Sequence, residues 1–247
     1  MAAALLAVAG TSAGCSMGDG AERRASTPDA TAVEGQAPKA TTEQAQAPAE
    51  DLTAEVARPS GVVSVLDAPN GTEIRSLPAT TEFGSQRALL ITSTEPGWLQ
   101  VLVPGRPNGV TGWIAEEGVE VTMVDMRITV DLAARTLSVV TPAGSVLESP
   151  VAIGSSEAPT PTGRFSITDK LATGNSDGAY GPFALGLSGR SEVLTEFAGG
   201  DGQVGIHGTN DPSSIGKDVS HGCIRVPNEV ISQLNDLVPL GTPVVIV

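Results

Sequence analysis

The sequence predicts a mainly β protein with two folded domains, and three observations carry that expectation. Apolar residues from Val62 onward come in short alternating runs cut by Gly, Pro, Asn and Asp, which is the period of strands and turns. A single stretch, Asn228 to Val238, has helical spacing: Val230, Ile231, Leu234 and Leu237 fall on one face, Asn228 is placed to cap its start and Pro239 to stop it. Composition also shifts near residues 57 and 124, so the 247 residues divide into a leader (1–15), a linker (16–57) and two domains (58–123 and 124–247). With 40% hydrophobic but only 3% aromatic residues, the cores have to be built from Val, Leu, Ile and Ala.

The leader comes first. Ala2 to Gly14 is small, apolar and uncharged, too short to span a bilayer and about right for the apolar part of an export signal. No basic residue precedes it, which points to a start further upstream. Ser12-Ala13-Gly14-Cys15 resembles a bacterial lipobox, with Ser where Leu is usual. That resemblance implies lipidation of Cys15 and an exported protein anchored at the outer face of the cytoplasmic membrane; simple cleavage is the alternative. Residues 16–57 are Ala, Pro, Thr, Gln and Glu with few large apolar side chains, so they cannot bury enough surface to offset the ordering of their backbone. They read as a disordered, fairly extended tether.

In the first domain, Val62–Leu66 is a strand that ends at the turn Asp67–Gly71. Ala88–Thr92, Trp98–Val103 and Thr111–Ile114 are further strands, with a turn cluster at Pro104–Gly109. Both tryptophans lie here; core packing is their expected use, and binding of a glycan or peptide is the alternative. In the second domain Arg127–Leu132 and Thr136–Val140 flank a hairpin at Ala133–Arg135, and Gly144 to Gly154 gives another turn and strand. Thr160–Gly163 is a turn into the strand Arg164–Thr168. Leu171 to Ser188 is a Gly-rich segment holding the only tyrosine, Tyr180. Val193–Phe197, Val204–Ile206 and Val244–Val247 supply the remaining strands. The two domains are expected to fold as separate units.

One stretch concentrates the chemistry. His207 to Arg225 holds both histidines of the chain, His207 and His221, and Cys223, the sole cysteine outside the leader. A thiol needs a base to become a thiolate near neutral pH, and imidazole is the side chain best suited to that. Gly222 beside Cys223 lets backbone N–H groups approach a ligand, as an oxyanion hole requires. Two other readings stand open on chemistry alone: Cys223 and the histidines as ordinary structural residues, or His207, His221 and Cys223 as three zinc ligands. The Cys-x-x-Cys spacing of many zinc sites is missing.

Ile206-His207-Gly208-Thr209-Asn210 followed by Ser220-His221-Gly222-Cys223-Ile224-Arg225 resembles the signature of the L,D-transpeptidase catalytic domain (YkuD-like). The resemblance extends from about Met126 to Val247 and takes in Thr160–Phe165, Tyr180-Gly181-Pro182-Phe183 and Gly241-Thr242-Pro243-Val244. It implies an L,D-transpeptidase-type β-sandwich with one or two short helices. It implies Cys223 as nucleophile, His207 as base and the Gly208 carbonyl as the group that orients the imidazole. His221, Gly222 and Cys223 would give the oxyanion hole, with Ser220 beside them. Arg225 would hold a substrate carboxylate or bond the loop, and Tyr180 would cover the acyl-enzyme or pack in the core. The substrate implied is a peptidoglycan stem peptide: D-alanine leaves, a thioester remains on Cys223, and a neighbouring stem's amine resolves it into a cross-link. Water as acceptor would give a carboxypeptidase, and a wall-binding scaffold without activity is a further alternative. Carbapenem-type inhibitors follow from the same resemblance, and no cofactor or metal is called for. Gly97-Trp98 and Gly112-Trp113-Ile114 resemble the bacterial Src-homology-3-type barrels that accompany wall enzymes, so the first domain is expected to be a small β-barrel. A formal net charge of −14 argues against nucleic acid as partner, since phosphates would repel it.

Overall fold

The computed structural model describes residues 52–196 and 200–247. Cys15, the rest of the leader, the linker up to residue 51 and Phe197 lie outside the described residues.

Seven strands make the first sheet: β1 (Ala54–Pro59), β2 (Val63–Leu66), β3 (Glu73–Leu77), β4 (Leu89–Glu95), β5 (Trp98–Leu102), β6 (Thr111–Ala115) and β7 (Val119–Val124). They run antiparallel in the order β3-β2-β6-β5-β4-β1-β7. Ala57, Val65, Leu77, Leu89, Leu99 and Ile114 are buried in one cluster, with Val119 packed against it, so every strand serves the same core. A single sheet does this only by curling around that core. Three of the strands are silent in the sequence. β3 carries Glu73 and Arg75, and β7 carries Glu120, so polar side chains interrupt the alternation that would mark them. β1 begins at Ala54, which puts the end of the expected linker inside a strand. Trp98 and Trp113 are half-buried and lie outside the core cluster. Alternation along β5 sends Leu99 and Val101 inward and leaves Trp98 and Gln100 on the other face.

The second sheet is built from β8 (Arg127–Asp131), β9 (Thr136–Thr141), β10 (Gly144–Pro150), β12 (Gly163–Ala172), β13 (Phe183–Arg190), β14 (Gln203–His207), β16 (Ile224–Arg225) and β17 (Pro243–Ile246). Their order is β10-β9-β8-β17-β12-β13-β14-β16, while β11 (Ile153–Gly154) and β15 (Asp218–Ser220) form a separate parallel pair. Helix α1 (Asn228–Leu237) packs on β13 and β14 and buries Ile231 and Leu234. Ile128, Leu137, Phe165, Leu187, Ile206, Ile224 and Val244 join these two in one core. The last strand, β17, is inserted between β8 and β12, so the sheet is closed by the C-terminal residues.

Three local expectations are corrected. Phe183–Arg190, all but its last two residues assigned to a Gly-rich segment, is a strand. Its glycines serve packing: a Cβ on Gly189 would run into the Phe165 ring, and one on Gly186 would sit 2.8 Å from the Gln203 amide nitrogen. Val193–Glu196 forms no strand, because the Ser191 hydroxyl captures the N–H groups of Val193 and Leu194 (3.3 and 3.0 Å) and folds the chain back. Asn228 does not cap α1; Pro227 stands at the cap, and Leu237 is exposed rather than packed.

The two sheets meet along a seam. Val56, Ala88 and Val124 are buried together with Met126 and Leu240 against them. Arg58 donates to the Leu240 carbonyl (3.0 Å), and the Thr81 hydroxyl donates to the carboxylate of the buried Asp169 (2.5 Å).

Candidate active site

His207 is the last residue of β14, and Cys223 immediately precedes β16. The two strands are parallel neighbours, with Ile206 opposite Ile224 and His207 opposite Arg225. Ladder pairing therefore brings the ends of the chemistry-bearing stretch together. The intervening chain turns through a short 3₁₀ turn at Pro212–Ser214 and returns along β15. Arg225 is fastened from its other side as well, its backbone exchanging two hydrogen bonds with Ala152 (2.9 and 2.8 Å).

His207 is buried, and its Nδ1 lies 2.6 Å from the Gly208 carbonyl oxygen. A carbonyl only accepts, so Nδ1 carries the proton and Nε2 is left with a free lone pair. The short loop around Gly208 is held by Asn228, whose side-chain oxygen accepts from the Thr209 N–H (2.8 Å) and whose amide donates to Ser176 (3.3 Å). Asn228 thus ties the start of α1 to the His207 loop and to the Gly-rich segment. Gly208 and Gly181 pack backbone to backbone here, and a Cβ on Gly208 would sit 3.0 Å from the Gly181 Cα. This close approach sets the Tyr180 ring against the His207 ring, with centroids 4.6 Å apart and planes 54° from parallel. Tyr180 is 41% exposed, so it is a wall of the site and not a core residue.

Around Cys223 the backbone is tightly knotted. The Ser220 hydroxyl donates to the Cys223 carbonyl (2.5 Å) and accepts from the Gly222 N–H (3.1 Å). Gly222 sits at φ +112°, a conformation that L side chains rarely adopt. The Gly222 N–H, expected as an oxyanion donor, is thereby engaged with Ser220. The Cys223 N–H is left without an acceptor among the described residues.

Cys223 and His207 share a cleft of about 250 Å³ with Tyr180, Ser191, Leu194, Gln203, His221 and Arg225. Among the described residues its lining contains no carboxylate, and Arg225 is the one formal charge. The Arg225 Nε is buried without a hydrogen-bond partner, and its guanidinium makes no bond to the loop among the described residues. Burial holds the Cys223 thiol above the ordinary cysteine range, against the lowering effects of the Gly205 backbone and the Arg225 charge. Burial likewise pushes His207 down to about 4; the Gly208 carbonyl opposes this and Arg225 adds to it. Both shifts favour the neutral thiol and the neutral imidazole over a thiolate–imidazolium pair. Desolvation penalises both charged forms, and no hydrogen bond joins the His207 ring to the Cys223 sulfur among the described residues. The three zinc ligands of the rival reading form no metal-holding group among the described residues.

Sequence reasoning did not find Ser191, Leu194, Gln203 or Asn228. Asn228 carried a signal, a polar residue at a helix start, but that signal points to a cap. The others come from a loop and a strand edge with no motif of their own.

A half-buried cysteine, an imidazole with its Nε2 lone pair free and an N–H without an acceptor among the described residues make a site of the nucleophile-and-base class, able to attack an acyl carbon. Comparison with known proteins gives the family. Residues 125–246 match the L,D-transpeptidase catalytic domain (YkuD). The L,D-transpeptidase-family protein YkuD of Bacillus subtilis (strain 168) is 34% identical over 146 residues, covering 59% of this chain and 73% of that protein. YkuD of Bacillus licheniformis is 39% identical over 121 residues, 49% of this chain and 65% of that one. Among solved structures, the L,D-transpeptidase LdtMt1 in complex with imipenem is 19% identical, with a TM-score of 0.45, covering 76% of this chain and 99% of that one. The chain belongs to the L,D-transpeptidase family.

Proposed function

We propose that this protein joins peptidoglycan stem peptides by acyl transfer through Cys223. The observation that supports the reading most is the locked tautomer of His207: Nδ1–H is committed to the Gly208 carbonyl, so Nε2 is the one ring atom able to take a proton in the cleft that Cys223 lines. The first half-reaction begins with that transfer. The thiol proton passes to His207 Nε2 as sulfur bonds to the carbonyl carbon of the third stem residue. Negative charge develops on the carbonyl oxygen, and the Cys223 N–H is the donor that the turn presents to it. Collapse breaks the C–N bond to D-alanine, whose amine takes the proton from His207, leaving a thioester. In the second half-reaction an amine of a neighbouring stem attacks the thioester, His207 takes its proton, and the returning proton restores the thiol. Gly208 acts as the orienting third member of a triad would.

Arg225 is the group we assign to a substrate carboxylate, since its charge faces a cleft that offers it no acid. Tyr180 is assigned to cover the acyl group from the His207 side. Export and lipidation at Cys15, which lies outside the described residues, belong to the same proposal: a wall enzyme tethered at the outer face of the cytoplasmic membrane.

Carbapenems test the reactive group without a stem peptide. Imipenem should add its mass once to the whole chain, on the peptide containing Cys223, and add nothing to the Cys223→Ala variant. An adduct that survives in the variant would remove Cys223 from the role of nucleophile.

A further inference from the structure

The wall of the cleft on the Ser191 side is not held by the catalytic sheet alone. It is held by a turn of the first domain, Pro104–Asn108. The Gly105 N–H donates to the Ser188 carbonyl (2.9 Å). Asn108 pairs with the backbone of Arg190 in both directions, its amide donating to the carbonyl and its oxygen accepting the N–H, each at 2.8 Å. The Arg106 guanidinium then reaches three carbonyls: Ser191 through Nε and Nη2 (3.1 and 2.8 Å), Leu194 through Nη2 (2.7 Å) and Asp201 through Nη1 (2.7 Å).

Two of these three carbonyls, those of Ser191 and Leu194, belong to residues that line the cleft, and the third, on Asp201, directly precedes the cleft-lining Gly202. Ser191, Leu194, Gly202 and Gln203 face the same space as Cys223 and His221. Residues 193–196 have no ladder partner, so that stretch rests on the Ser191 hydroxyl bonds and on Arg106, while the Ser191 N–H to Gly202 carbonyl bond (2.8 Å), the Arg190–Gln203 ladder pair and the Arg190–Asp201 ion pair hold the strand side of the wall. Gly202 fits this arrangement at φ +74°, where a Cβ would collide with the Leu194 carbonyl and sit 2.8 Å from the Arg106 Nη2. The turn is itself braced from beneath, because Arg75 of β3 donates to the carbonyls of Pro104 and Arg106. A cation that gathers three backbone carbonyls forms charge-assisted bonds in a fixed fork, which an ammonium cannot copy.

We propose that the first domain is a working part of the cleft: Arg106, seconded by Asn108, is a positioning residue that sets the Ser191–Leu194 and Gly202–Gln203 wall and so determines how tightly the acyl donor is held. The inference rests on the acyl-transfer reading for the identity of that donor. It assigns Arg106 no part in the chemistry of Cys223.

The test uses the whole chain as Arg106→Ala, Arg106→Lys and Asn108→Ala, with a tetrapeptide stem as donor. Losing the fork should raise KM by about tenfold or more in Arg106→Ala, with kcat within about twofold of the parent. Alkylation of Cys223 by iodoacetamide should keep its parent rate. Amide exchange should quicken by about tenfold at Ser191 and Leu194 and stay unchanged in β8 and β9. Arg106→Lys should fall between, keeping one or two of the carbonyl bonds, and Asn108→Ala should shift KM in the same direction. Unchanged exchange at Ser191 and Leu194, or an unchanged KM with a loosened wall, would overturn the proposal. So would exchange that rises evenly over the molecule, which would mark Arg106 as a general stabiliser. If the parent turns over no stem peptide, it is the acyl-transfer reading that fails, and the exchange arm still decides whether Arg106 sets the wall.

Discussion

At the scale of single residues, His207 carries a measurable signature of its surroundings. Its folded value of about 4 lies below the ordinary imidazole value of 6.5. Between those two values the unfolded chain binds a proton that the folded chain refuses. Stability from this group is therefore complete above pH 6.5 and is lost as pH falls toward 4, by roughly 3 kcal/mol in all. Urea unfolding of the parent and of His207→Gln, compared at pH 7 and pH 4.5, should show a smaller acid loss in the variant, by about 2 kcal/mol. Equal losses would mean that the imidazole is not held neutral. The thiol reports the same environment from the other side. Its alkylation rate should still be climbing above the ordinary thiol pKa of about 8.5, and a plateau near neutral pH would contradict a neutral resting pair. The pair we propose, Cys223 and His207, was legible in the sequence, since rare residue types stood at a recognisable spacing. The state of its protons was not, because desolvation depends on packing that no motif spells out.

At the scale of elements, the turn Ser220–Cys223 matters most. Ser220 closes it through two bonds, and Gly222 supplies the φ of +112° at the residue before the cleft-lining Cys223. Gly222→Ala would meet only ordinary contacts, the nearest at 3.5 Å, so its cost is conformational. We expect a loss of about 1–2 kcal/mol in unfolding free energy. Turnover should fall by about a hundredfold or more, as the Cys223 N–H is turned aside. Urea melts and steady-state rates check the two halves; a stable variant with full turnover would show that this N–H is not needed. Strands with clean alternation, such as β5 and β8, were readable beforehand. β3 and β7 were hidden by charged side chains, and β13 by glycines that serve packing rather than turning. The segment after Ser191 has strand propensity, but a hydroxyl that captures its N–H groups outweighs it.

At the scale of the whole molecule, two sheets with their own cores meet along a seam that also shapes the cleft. A change of composition near residue 124 falls between the last strand of the first sheet and the first strand of the second, and the dominance of Val, Leu and Ile in both cores followed from the scarcity of aromatics. The seam was not visible, since Thr81, Arg106 and Asn108 look like ordinary turn residues until their partners 82 to 95 positions away are placed beside them. Function rests in the end on whether one sulfur carries the acyl group. The direct measurement is the mass of the intact chain, quenched in acid during turnover of a tetrapeptide stem. The parent should gain the mass of the stem less D-alanine, mapped to Cys223 and discharged by an added amine acceptor, while Cys223→Ala gains nothing and releases no D-alanine. D-Alanine release by the variant, or an acyl group found on any other residue, would contradict it.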